Sequence, residues 1–164
     1  ELMAAAHQAL ARLAEDTGAH LEKPVVIYIY ADAQDLQGAM IYPQEWTGGV
    51  AFTRYGIIAI GIAPDNLYWG KRAVAHELTH LVIHQMTLNP YSDLPTWLDE
   101  GLAMYAEGAL EPVFATYLNR AIAEDTLISV RSYLVLLAHS GLEPSPGSKQ
   151  PGINKQLRLI YWPS

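Results

Sequence analysis

Apolar positions divide the chain into a short alternation of helix and strand signals, followed by a mainly helical stretch. In residues 2–17, LMAAAHQALARLAEDT, Leu2, Ala6, Ala9, Leu10 and Leu13 form one apolar stripe and Gly18 follows as a stop. That spacing predicts an amphipathic helix with His7 solvated. Residues 24–31, PVVIYIYA, are β-branched and aromatic behind an entrance proline and predict a central strand. Residues 32–47 mix Asp, Gln, Gly and Pro and read as a connection with a short helical turn. GGVAF (48–52) and GIIAIGIA (56–63) predict two further strands, with a hairpin around Thr53–Gly56. Pro64 and Asp65 stop the sheet and can start a helix.

Over residues 66–86, Val74, Leu78, Leu81, Val82 and Gln85 trace one side of a helix, while Ala73, His76, Glu77, His80 and His84 trace another. NPYSDLP (89–95) is turn chemistry. TWLDEGLAMYAEG (96–108) predicts a second helix, with Thr96 as N-cap and Gly108 as stop. Residues 111–124 predict a third, with Pro112 in its first turn. Residues 126–138 are apolar and fit either helix or strand. From Gly141 onward the chain is rich in Gly, Pro and Ser and reads as loop. The pattern as a whole predicts one α+β domain over residues 1–164. A small mixed or antiparallel sheet (24–63) packs on the helix of residues 66–86, a mainly helical part runs over 64–140, and a loop-rich end covers 141–164.

Composition narrows the chemistry. With 164 residues, 51% hydrophobic and 16% charged, the chain can bury a core and is not a disordered tail. A net charge of −7, with no basic stripe, argues against nucleic acid and anionic lipid as partners. With no cysteine, disulfides and thiolate ligands are excluded, so any metal must be held by His, Asp or Glu. No run of 18 apolar residues is present, so no membrane-spanning segment is expected. The sequence opens on Glu1 and reads as a mature or excised piece, with an extracytoplasmic or secreted location expected.

The sharpest signal is AHELTH, residues 75–80. On a helix, positions i and i+4 share a face, so His76 and His80 can direct ring nitrogens at one point, a spacing that suits a zinc ion. Glu77, one residue on, lies beside such a metal rather than on it, where it can accept a proton from the water the metal acidifies and pass it to a leaving amine. A catalytic zinc needs a third protein ligand and an open position. Six residues after His80 stands Met86, which cannot ligate in the expected way, and His84 reads as a neighbour or a surface residue. Glu100, in WLDEGLAMYAE on the next helix, is the better candidate. Asp99 beside it points about 100° away, so only one of the two is expected to face the metal.

HELTH, followed after nineteen residues by Glu100 in LPTWLDEGLA, resembles the gluzincin metallopeptidases, and most of all the bacterial peptidase MA-like group with its P-x-W-L-x-E-G-x-A helix. It is also similar to the W-L-N-E-G-F-A pattern of aminopeptidase N-type enzymes, in which an acid stands seven residues after the ligand, the place of Glu107 here. The resemblance covers roughly residues 24–108, and WTGGVAFTRYGIIAI (46–60) looks like the strand that pairs with substrate backbone. It implies a zincin-like fold, a Zn2+ cofactor, a peptide or protein substrate, His76, His80 and Glu100 as ligands, and Glu77 as general base. It also implies that Asp99 is an acid favoured by the helix dipole at the start of its helix. Glu107 can hold the far nitrogen of a ligand histidine or be a plain exposed acid.

An oxyanion needs a donor besides the metal. Tyr133, His139 and Tyr161 are the candidates; Tyr105 and Tyr117 read as core or surface residues. The loop-rich end departs from the helical wall expected of the look-alikes. Trp46, Trp69 and Trp162 read as core. The reading is therefore a zinc-dependent peptidase; the alternatives are a zinc-binding, gluzincin-like module acting in binding or scaffolding without turnover, and a metal-free helical core with incidental histidines.

Overall fold

The computed structural model describes residues 1–40, 48–87 and 94–129, together with the backbone of residues 160 and 161. The chain packs as two compact units, residues 1–109 and 110–164.

The first unit begins with helix α1, Leu2–Thr17, which buries Ala6, Ala9 and Leu13. Gly18 ends it in the left-handed conformation (φ 74°), its N–H donating to the Ala14 carbonyl at 3.0 Å. Strand β1, Val26–Tyr30, leads into α2, Ala33–Ala39, whose N-cap Asp32 accepts from the Asp35 N–H at 2.8 Å. Strands β2, Gly49–Phe52, and β3, Ile57–Gly61, are joined by a single 3-10 turn, Thr53–Tyr55. Helix α3, Leu67–Met86, and helix α4, Thr96–Ala106, complete the unit.

The sheet is mixed, in the order β1-β3-β2, with β1 parallel and β2 antiparallel to β3. The expected central strand, PVVIYIYA, is therefore an edge: Val26, Tyr28 and Ile29 of β1 are exposed, and β3 is the strand buried between two neighbours. An apolar edge strand and a fully covered one have the same composition, and position is decided by which strand finds two partners. The Gly61 N–H donates to the Gly48 carbonyl at 2.9 Å. Alternation along the ladder then turns the backbone groups of Val50 and Phe52 toward β3, and those of Gly49 and Ala51 toward the opposite edge, on which no strand pairs among the described residues.

Helix α3 is the centre of the unit. Val74, Leu78 and Leu81 pack with Ile58 and Ile60 of β3, with Ile62 just after it, and with Ala6 of α1. Val82 and Ile83 join Leu13, Ala19 and Ala106 in a second cluster. Each fully buried aliphatic side chain contributes roughly 1.5–3 kcal/mol, so α3 is fixed in rotation by its two apolar faces and the remaining face, with His76 and Glu77, is fixed with it. At the start of α4 the N-cap is Pro95, not the expected Thr96. The Pro95 carbonyl takes the N–H groups of Leu98 and Asp99 at 2.9 and 3.1 Å, and no side chain caps the helix.

In the second unit α5 spans Pro112–Ala123 with its proline in the first turn, as expected. Strand β4, Ile128–Ser129, pairs in parallel with β5, Ile160–Tyr161. The stretch 126–138 thus contains strand β4, and its partner β5 stands within the expected loop-rich end. The rest of both stretches lies outside the described residues, as do 41–47 and 88–93. Among the described residues, no helix is long and apolar enough to cross a membrane.

Candidate metal centre

Helix α3 stacks His76 and His80 one turn apart, their ring centroids 4.9 Å from each other at an interplanar angle of 76°. Helix α4 brings Glu100 up to them. Its Oε2 lies 3.4 Å from His76 Nε2 and its Oε1 lies 4.0 Å from His80 Nε2. Each of the three residues offers a ligand atom within 4.8 Å of the others, the one such group among the described residues. A tetrahedral ion with bonds of about 2.05 Å needs ligand atoms roughly 3.3 Å apart, so the residues fit a small divalent cation with minor side-chain adjustment.

The opposite edges of the rings are equally well defined. His76 Nδ1 is 2.8 Å from Glu107 Oε1, and Glu107 Oε2 is 2.7 Å from Arg72 Nη2. His80 Nδ1 is 3.0 Å from Asp99 Oδ2, within ion-pairing distance, although the N–H is not aligned on the oxygen. A carboxylate only accepts hydrogen bonds, so each Nδ1 keeps its proton toward Glu107 or Asp99, and the Nε2 atoms face the ligand group, where loss of the Nε2 proton frees a lone pair for a metal.

Four carboxylates, from Glu77, Asp99, Glu100 and Glu107, surround these two rings, and this excess of negative charge favours a cation between them. Burial disfavours the charged form of His76, but hydrogen bonds to Glu100 and Glu107 and the charges of Glu77 and Glu107 outweigh it and push its pKa up to about 10. His80 also rises, burial being overcome by Asp99 and Glu100. Glu100 is held below the usual carboxylate range, first by its hydrogen bond to His76. Burial acts to raise Glu107, but His76 and Arg72 hold it low. For Glu77 burial prevails and the carboxyl is raised, against the pull of the two histidines.

Glu77 lies against β2. A Cβ at Gly49 would stand 2.9 Å from Glu77 Oε1 and 3.3 Å from its Cγ, so only glycine leaves the carboxylate where it is. The Ala51 backbone, turned away from β3, contributes a hydrogen bond that favours the charged form of Glu77. Gly49, Val50, Ala51 and Thr53 form one wall of a cleft of about 340 Å³ whose floor is His76, Glu77, His80, Asp99 and Glu100. A larger apolar hollow of about 520 Å³, between Leu2, Met3, Ile27, Ile29 and Val74, offers no metal-ligating side chain besides Glu1.

The structure thus brings His76, Glu77, His80 and Glu100 together at one cleft. His84 sits in the last turn of α3, outside the ligand group. Tyr105 is exposed and donates to Asp16 at 2.8 Å, and Tyr117 is exposed on α5. Trp69 packs on the core. Trp46, Trp162, Tyr133, His139 and the side chain of Tyr161 lie outside the described residues. Of the two roles left open for Glu107, the structure shows the contact with His76; Asp99 stands in the first turn of α4, where the helix dipole favours an acid, and also faces His80. Arg72 was not anticipated, although its position four residues before His76 places it on the same face of α3.

A two-histidine helix, a carboxylate from the following helix and a sheet edge beside them define an HExxH-type zincin domain of mainly helical α+β architecture. The family model of the Peptidase MA superfamily matches residues 5–141, and the chain belongs to that family. Comparison with curated proteins and with solved structures returned no match.

Proposed function

We propose that the protein is a zinc-dependent peptidase of the gluzincin type that binds an extended peptide along β2 and hydrolyses it over the His76–His80–Glu100 group. The observation that carries the reading is the position of Glu77, beside the ligand atoms but not among them, in a cleft walled by the edge strand β2. When bound, the zinc ion supplies a Lewis acid that polarises the scissile carbonyl and acidifies water. The outward backbone groups of the β2 edge orient the substrate by strand addition. Glu77, its charged form favoured by the Ala51 backbone and opposed by burial, accepts the proton of the attacking water and delivers it to the leaving amine. His76 and His80 keep their rings turned inward through Glu107 and Asp99.

The test is metal analysis combined with digestion of a peptide library, on the wild type and on Glu77→Gln. The expected result is one zinc per chain in both proteins, with cleavage by the wild type and a loss of at least about 100-fold in the variant. Zinc in both with cleavage in neither supports the binding-module reading, and a wild type without zinc overturns the metal site.

A further inference from the structure

Arg72 stands one helical turn before His76, and its guanidinium closes a chain of contacts that ends at the metal ligands. Arg72 Nη2 donates to Glu107 Oε2 at 2.7 Å and Arg72 Nη1 donates to the Ala109 carbonyl at 2.9 Å. The other oxygen of Glu107 accepts from His76 Nδ1 at 2.8 Å. These side chains are 12%, 18% and 21% exposed for Arg72, Glu107 and His76, so the pairing is sheltered from water. From this geometry we infer that Arg72 is a positioning residue of the metal centre, setting its affinity for zinc by locking Glu107 onto His76. The inference rests on the zinc reading given above.

Glu107 has one oxygen on each partner, so it cannot turn toward the metal, or release the imidazole, without breaking a charge-assisted bond. The guanidinium fork grips a carboxylate and a main-chain carbonyl two residues apart, which fixes both the side chain and the backbone just past the end of α4. Finally, the sign of the effect separates positioning from charge. A guanidinium near a divalent cation repels it, so a purely electrostatic Arg72 weakens zinc binding and its removal tightens it. A positioning Arg72 does the reverse.

The experiment is a zinc competition titration against a chromogenic chelator at fixed pH, on the wild type, Arg72→Met, Arg72→Lys, Glu107→Gln and the double variant Arg72→Met/Glu107→Gln, with circular dichroism of each chelated protein as the check on folding. The expected result is a loss of about 10–100-fold in zinc affinity for Arg72→Met, the range typical of groups that orient a ligand histidine. Arg72→Lys, which keeps the charge but not the fork, loses less. The double variant is no weaker than Glu107→Gln, because Arg72 acts through Glu107. Unchanged or tighter zinc binding in Arg72→Met overturns the inference, and so does a double variant in which the two losses simply add. Should Arg72→Met fail to fold, Arg72→Lys carries the same decision: a reduced affinity supports the inference and an unchanged one overturns it. A wild type that binds no zinc overturns the site and this inference with it, an outcome read from the wild type alone.

Discussion

His80 places one ring nitrogen 3.0 Å from Asp99 Oδ2 and the other 4.0 Å from Glu100 Oε1, so two consecutive residues of α4 hold opposite edges of one imidazole. Neighbouring positions on a helix point about 100° apart, and here that divergence lets one carboxylate face the ligand group while its neighbour reaches around the ring. Asp99→Ala is expected to lower zinc affinity by about 10–100-fold. Asp99→Asn is expected to lose less, since an amide oxygen can still face Nδ1 of His80. A chelator competition series reads both, and wild-type affinity in Asp99→Ala would show that the contact orients nothing.

Gly49 makes a different demand. The atom a Cβ there would meet first is Glu77 Oε1, the far end of a flexible side chain. The fold can yield cheaply, but only by moving the carboxylate that the proposed reaction needs in place. Gly49→Ala is therefore expected to keep its zinc and to lose less than about 1 kcal/mol of stability, near the mild end of overpacking costs. Its kcat is expected to fall roughly 100-fold, the scale of a displacement of about 1 Å in a reacting group. Steady-state kinetics beside thermal melting decide it. Full activity in a folded Gly49→Ala would mean that Glu77 has room to spare.

Much of this arrangement was readable in the chain and some was not, for physical reasons. The stripe of α1, the Gly18 stop, the β2–β3 hairpin and the i, i+4 histidines are local patterns, and local sterics fix them. The position of β1 depends on which strands find partners, a non-local matter that VIYIY does not encode. Thr96 has cap chemistry, but the proline before it supplies the extended conformation and the carbonyl that opens α4. The contact of Asp99 with His80 is not legible in the sequence, because it depends on how α4 packs on α3, a non-local matter. The clue to Glu107 lay in its seven-residue distance from Glu100, two helical turns that return to the same face.

Leu78 sits on α3 between Glu77 and His80 but faces the opposite way, 2% exposed against Ile58, Ile60 and Ile62. Truncation to alanine leaves a cavity in the layer that fixes the rotation of α3. Leu78→Ala is expected to cost about 2–5 kcal/mol in chemical denaturation, with the zinc stoichiometry of the folded fraction unchanged. A cost well under about 1 kcal/mol would show that the helix is held by its other cluster, around Val82 and Ile83.

Chelated and zinc-loaded protein are expected to respond to pH in opposite ways. In the chelated protein His76 is held protonated by Glu100 and Glu107 against burial, its pKa raised from 6.5 to about 10. A raised folded-state pKa contributes stability that is fully present below pH 6.5 and is lost as pH rises through about 10. The chelated protein is thus expected to become less stable across that window. Zinc binds only the deprotonated ring, so proton competition weakens its stabilising effect as pH falls and relaxes as pH rises. The two trends oppose each other, and the difference in Tm between zinc-loaded and chelated protein is expected to widen steadily from pH 6 to 9, in buffers of constant ionic strength. A difference that stays flat or narrows would mean that the carboxylates around His76 do not hold its proton, and that the cluster's negative charge is satisfied in some other way.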